Sequence, residues 1–140
     1  MQCDASQHGL GSTLRQHGRP VHYANEALSR KKQNYAQIEK ELLAIVLSFP
    51  RFEHYIYSKQ VKVETEHKSL IALQKEPINT ASKRLQRMML CLQRCDLVFT
   101  YKPGKEMHIE DALSRALLHR SQKPSTSHFR RDLETINFVE

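Results

Sequence analysis

No stretch of this chain is long and apolar enough to cross a membrane. The longest apolar run, Leu42 to Phe49, falls far short of the ~20 residues a spanning helix needs. The first residues, MQCDASQHG, lack the basic stretch and apolar block of a secretory leader, so an intracellular protein of cytoplasm or nucleus is expected. Cysteine is scarce as well. Cys3, Cys91 and Cys95 are an odd count without a C-x-x-C pair, which argues against a disulfide framework and for a reducing compartment. Cys91 and Cys95 stand four apart, yet no further His or Cys lies near them to complete a zinc site. Acidic residues are outnumbered, 15 against 22 Lys and Arg, giving a formal charge of +7. A basic excess of that size favours polyanions, nucleic acid before acidic membrane surface.

What is present is enough for one core. A chain of 140 residues makes one domain and not two, and 39% apolar with 26% charged residues is the balance of a folded globular protein. The organising stretch is Tyr35 to Phe49, YAQIEKELLAIVLSF. At 100° per residue Ile38, Leu42, Ile45 and Phe49 share a narrow arc, and Leu43, Val46 and Leu47 widen it until the second half of the helix must be mostly buried. Glu41 sits about 60° from the centre of that arc, a costly place for a carboxylate unless a cation, hydrogen bonds or solvent at the rim satisfy it.

The rest of the chain brackets this helix. Before it, Leu10, Thr13 and Leu14, then Val21, Tyr23 and Leu28, mark short strands separated by glycines and by the turn His17-Gly18-Arg19-Pro20. Asp4 belongs to a strand with barely three residues ahead of it. Pro50 predicts a kink, since Phe52 returns to the apolar arc. VKVET, Val61 to Thr65, alternates as a strand and ends at Glu66; Leu70 to Leu73 is a short apolar run. A further helix starts at the cap Ser82, with Leu85, Met88, Met89 and Leu92 on one face and Lys83, Arg87 and Arg94 as a basic stripe opposite, suited to a phosphate backbone or simply solvated. Asp96 to Tyr101 is a strand, a Pro103-Gly104 turn follows, and HIEDALSRALL makes a last helix carrying Asp111. The order of elements predicts an α/β fold: one mixed sheet, three antiparallel strands first, covered by helices. From His119 on the chain reads as a flexible tail.

In that arrangement Asp4, Glu41, Glu66 and Asp111 can meet at one edge of the sheet. Clustered carboxylates raise one another's pKa unless divalent cations hold them, and magnesium takes just such oxygen ligands. The segments CDASQHGLGSTL, RPVHYANEALSRKKQNYAQIEKELLAIV, HYIYSKQVKVETEHKSL and FTYKPGKEMHIEDALSRALL resemble the RNase H-like domain that follows reverse transcriptase in the polyproteins of Gypsy-type LTR retrotransposons. The resemblance spans Cys3 to Leu118, placing the domain at 1–118 and a connector at 119–140.

The resemblance implies a five-stranded RNase H-like sheet and cleavage of the RNA strand of an RNA–DNA hybrid. In that family a D-E-D-D set binds two magnesium ions. Carried over by motif, the set is Asp4, Glu41 rather than Glu39, Glu66 and Asp111, with manganese as a second possible cation. The basic stripe of Lys83, Arg87 and Arg94 is the candidate for contact with nucleic acid, Ser6 either touches a backbone phosphate or caps a turn, and the polymerase domain of the parent polyprotein becomes a partner. No Y-x-D-D segment occurs, so polymerase chemistry does not reside here. The family pattern TDHKSL reads TEHKSL in this chain; Glu66 keeps the charge and adds a methylene, enough to move the carboxylate by more than ~1 Å, where a misplacement of that size costs on the order of 10²-fold in rate. Pro50 and Glu110 depart from the pattern too. The competing reading is a catalytically impaired remnant that binds nucleic acid or protein through its basic surface. His108 and His67 are secondary candidates, the first as an assisting histidine and the second as a residue that orders the strand end.

Overall fold

A computed structural model describes residues 1–115. The expected tail at 119–140, and the domain boundary at 118, lie outside the described residues. Five strands, β1 (Gln2–Ala5), β2 (Gly9–Gln16), β3 (Arg19–Ala27), β4 (Val61–Thr65) and β5 (Leu97–Tyr101), form one sheet in the order β3-β2-β1-β4-β5. The first three strands pair antiparallel, whereas β1 with β4 and β4 with β5 are parallel. This is the mixed sheet the element order predicts. The β2–β3 hairpin closes on His17 and Gly18, with φ of 53° and 75°, so the turn is two residues long and Arg19 and Pro20 already belong to β3. Both loop positions need left-handed backbone, which glycine takes without steric cost.

The helix expected from Tyr35 starts two residues later, at Gln37, and the polar stretch ahead of it holds a short helix of its own. Ser29 caps a short α1 (Arg30–Gln33), its side chain accepting from the Lys32 N–H, and the long α2 runs from Gln37 to Ile56. Pro50 does not end it. The helix continues through the proline, with Phe49 and Phe52 buried on either side. Burying two phenylalanines supplies about 1.5–3 kcal/mol each, which offsets the ~3 kcal/mol of an interior proline.

The face α2 covers is fixed by two contacts. Ser48 Oγ donates to Ser12 Oγ at 2.6 Å and lies 4.0 Å from Cys3 Sγ, so Cys3 and Ser12 point at α2. Side chains alternate along a strand, so Asp4 and Thr13 take the other face. Helix α5 (His108–Arg115) lies along β1, β2 and β3, and β2 is buried without interruption from Gly9 to Leu14, as a strand covered on both faces must be. Helix α3 (Lys68–Lys75) packs on β5, and α4 (Lys83–Leu92) packs on α2, with Leu85, Met88 and Leu92 buried. Ser82 caps α4 as predicted, accepting from the Leu85 N–H at 3.3 Å.

Candidate active site

Strands β1 and β4 are parallel neighbours, so their C-terminal ends reach the same edge of the sheet. Asp4 lies near the end of β1, in register with Gly11, and Glu66 directly follows β4. Gln37, the first residue of α2, donates through Nε2 to the Ala5 carbonyl at 2.9 Å and to Glu41 Oε1 at 2.8 Å. One side chain thus pins the start of α2 to the end of β1 and aims Glu41 at Asp4. One carboxylate oxygen each from Asp4, Glu41 and Glu66 lies within 4.8 Å of the other two.

These oxygens suit a hard cation. An octahedral magnesium bound at 2.0–2.1 Å sets adjacent oxygens about 2.9 Å apart and opposite ones about 4.2 Å apart, so side-chain adjustments of up to about 2 Å bring all three into one coordination shell. The electrostatics favour a cation as well. Glu41 is only 2% exposed, and burial pushes its carboxyl up to about 8; Asp4 and Glu66 add to the rise, against hydrogen bonds from Gln37 and the Ala5 backbone. Without compensating positive charge a proton occupies this site at neutral pH.

Glu66 has a specific accommodation. The Lys102 N–H donates to the Thr65 carbonyl at 2.9 Å, tying the segment after β5 to the end of β4 and bringing Gly104 against Glu66. A Cβ on residue 104 would stand 1.7 Å from Glu66 Oε2 and 2.7 Å from its Cδ. The longer side chain therefore occupies the notch that glycine leaves.

The remaining candidates separate. Asp111 is in the first turns of α5; its side chain lies outside the described residues. Ser6 closes the β1–β2 turn, its Oγ donating to the Gly9 carbonyl at 3.2 Å and accepting from the Gly9 N–H at 3.1 Å. Lys83 and Arg87 are on α4, but the helix ends at Leu92 with Gln93 as its C-cap, so Arg94 lies past it and the three-residue stripe is a correction to two. His67 directly precedes α3, its N–H donating to Thr65 Oγ1 at 3.1 Å, which orders the end of β4; His108 is exposed at the start of α5. Glu39 is not aimed at the cluster. It accepts from the Ala36 N–H at 3.0 Å and from Arg84 at 2.9 Å, and Arg84 also lies 3.8 Å over the Tyr35 ring. Gln37, Gly104 and Arg84 escaped the reading of the sequence. For Gln37 a signal existed, since it stands four residues before Glu41 on the same helix face.

Sequence comparison settles the lineage. Residues 1–95 match the family described as the RNase H-like domain found in reverse transcriptase, a span that includes Asp4, Glu41 and Glu66. The chain belongs to that family. Among relatives of this RNase H-like domain, the retrovirus-related Pol polyprotein from transposon gypsy of Drosophila melanogaster is 36% identical over 125 residues, which are 89% of this chain and 12% of the relative. The Pol polyprotein from transposon 297 of the same fly is 32% identical over 97% of this chain and 13% of its own length. The Tf2-3 transposon polyprotein of Schizosaccharomyces pombe is 34% identical over 99% of this chain and 11% of its own. The RNase H-like domain thus spans about an eighth of each of these relatives. Among solved structures, the native prototype foamy virus protease-reverse transcriptase aligns over 91% of this chain and 17% of its own, with a TM-score of 0.61 at 15% identity. The foamy viral protease-reverse transcriptase in complex with an RNA/DNA hybrid aligns over 90% of this chain and 17% of its own, with a TM-score of 0.60 at 17% identity. At these identities the likeness establishes the fold.

Proposed function

We propose that this RNase H-like domain is a divalent-cation-dependent ribonuclease that cleaves the RNA strand of RNA–DNA hybrids, the nuclease portion of a retrotransposon-type polyprotein in which polymerase chemistry belongs to another part. The observation that carries the reading is the convergence of Asp4, Glu41 and Glu66, from three elements far apart in sequence, to within 4.8 Å. Asp111, on α5, is the proposed fourth ligand. A pair of magnesium or manganese ions held there supplies Lewis acidity, a water of lowered pKa and stabilisation of the leaving oxygen.

The protein's own part is to hold the carboxylates in place. Gln37 fixes the Glu41 rotamer, the buried position of Glu41 excludes water from one side, and Asp4 is held by the antiparallel pairing of β1 with β2. Lys83 and Arg87, with Arg94 beyond the helix, supply positive charge for a backbone of phosphates, and Ser6 stands at the turn that follows Asp4. Hybrid recognition of this kind reads groove shape and the 2′-hydroxyl, not base sequence.

Incubating the purified chain with an end-labelled hybrid and magnesium or manganese, beside Glu41→Gln, tests the proposal. Cleavage that disappears in the variant is expected, and a lack of variant-sensitive cleavage with either metal rejects it. The alternative, a remnant that only binds, rests on Glu66 standing where the family has aspartate. It is recognised by hybrid binding that weakens steeply with salt and survives Glu41→Gln while no cleavage occurs.

A further inference from the structure

The strands that carry Asp4 and lead to Glu66 are joined one step short of them. Strands β1 and β4 have Gln2 and Glu64 in register, and among the described residues no pair beyond these, toward the carboxylates, links the two strands. Four register pairs tie β1 to β2 and five tie β4 to β5, so the β1–β4 seam is the thinnest in the sheet. Over its last pair lies a side-chain clamp. Gln2 Nε2 donates to Glu64 Oε2, the same oxygen lies 3.6 Å from Lys102 Nζ, and Glu64 Oε1 lies 3.4 Å from Lys62 Nζ. Three members of the clamp each stand two residues before a part of the candidate site: Gln2 before Asp4, Glu64 before Glu66 and Lys102 before Gly104. Neighbours in register share a face of the sheet and side chains alternate along a strand, so Gln2 and Glu64 lie on the face of Asp4, one pleat below it.

We propose that Glu64 is a positioning residue for the nuclease site, a role that rests on the reading of Asp4, Glu41 and Glu66 as metal ligands. By bridging Gln2 and Lys102 it sets the separation of Asp4 from Glu66 and seats Gly104 against Glu66. Stability does not account for this row of polar side chains. Gln2 is 2% exposed and its Oε1 is buried with no hydrogen-bond partner, which costs free energy. The Glu64 carboxylate is partly open to solvent, where screened ion pairs at 3.4 and 3.6 Å return little. The contribution of the row is to geometry. Lys102 is attached twice, its N–H to the Thr65 carbonyl at 2.9 Å and its ammonium to Glu64, so the turn that leads to Gly104 cannot lift off β4 without breaking both. Removing a group that orients metal-binding side chains from behind costs about 10–100-fold in metal affinity or rate.

The test uses the full chain with Glu64→Leu, Lys102→Met and the two combined, beside Lys102→Arg, which keeps the bridge. Manganese affinity by calorimetry, and exchange of the Lys102 amide hydrogen in chelator, are read together with kcat and KM on a labelled hybrid. Glu64→Leu and Lys102→Met are each expected to weaken manganese and lower kcat by about tenfold, with KM for hybrid and Tm close to the parent's. Exchange of the Lys102 amide is expected to quicken by about tenfold in both. The double variant should lose no more than either single one, and Lys102→Arg should stay within about twofold of the parent. Manganese affinity equal to the parent's in Glu64→Leu overturns the proposal, as do losses that add in the double variant. A fall in kcat that tracks a fall in Tm across the set assigns Glu64 to stability alone and overturns it too. A parent that cleaves no hybrid yet shows the coupled loss of manganese rejects the nuclease reading and leaves the positioning role of Glu64 standing.

Discussion

Replacing Gly104 by alanine is the sharpest perturbation of the candidate site. Gly104 opens a 3-10 turn, Gly104–Glu106, with ordinary backbone angles, so alanine is tolerated by the main chain and adds about 0.4–1 kcal/mol of stability by restricting the unfolded chain. Its methyl, however, arrives 1.7 Å from Glu66 Oε2, and real Cβ contacts begin near 3.0 Å. The carboxylate must retreat by more than 1 Å. A displacement of that size at a reacting centre costs on the order of 10²-fold in rate. The assay is a double-mutant cycle on labelled-hybrid cleavage, with manganese affinity measured calorimetrically in parallel. Gly104→Ala is expected to lower turnover and weaken the metal by one to two orders of magnitude with Tm unchanged or raised. In the Glu66→Asp background, where the shorter side chain leaves the notch, the same substitution should be nearly neutral. Equal losses in both backgrounds would refute the notch as the reason Glu66 fits.

Other outcomes follow from the same geometry. Because the folded Glu41 carboxyl titrates at about 8 against an ordinary 4.5, the metal-free protein holds this contribution to stability in full below pH 4.5, loses it as pH rises toward 8 and is level above that. The loss is on the order of 5 kcal/mol. Glu41→Gln in chelator should therefore unfold at higher temperature than the parent at pH 8 and at about the same temperature at pH 4.5; a parent whose Tm is flat over that range contradicts the buried-carboxyl assignment. Glu66→Asp should raise magnesium-supported cleavage about tenfold or more and narrow the advantage of manganese, and unchanged metal preference would show that the extra methylene is harmless. Lys83→Ala with Arg87→Ala should flatten the slope of log affinity for hybrid against log salt by about 1–2, in filter-binding titrations from low to moderate salt. A slope equal to the parent's places the phosphate contacts elsewhere.

Much of this architecture was legible because the patterns are strong. The alternation of Val61 to Thr65, the Ser82 cap and the apolar arc around Leu42 and Ile45 each translate directly into an element. The misreadings cluster at element ends. Tyr35 carries the helical spacing yet lies outside α2, because the chain breaks between α1 and Gln37, and Tyr35 is buried with Arg84 over its ring. Arg94 continues the arc of Lys83 and Arg87 on paper, but α4 stops before it. That the helix runs on past Pro50 was legible from Phe52, which returns to the apolar arc; Phe49 and Phe52 are both buried in the helix that results. At the site, residue types and motif order identified Asp4, Glu41 and Glu66. The notch at Gly104 was out of reach, since it arises from two loops brought together across β4 and β5.

The placement of β1 has a bearing on how the chain is made. The hairpin partners that flank Asp4 on one side follow it along the chain within a few residues. Its parallel neighbour comes much later, since Gln2 bonds to Glu64 across 62 positions. At ~5–20 residues per second that interval is about 3–12 s, during which the antiparallel half exists with one edge bare and two of its future acidic partners not yet synthesised. The convergence of Asp4, Glu41 and Glu66 therefore waits on the parallel pairing of β4 with β1 and cannot precede the synthesis of residue 66.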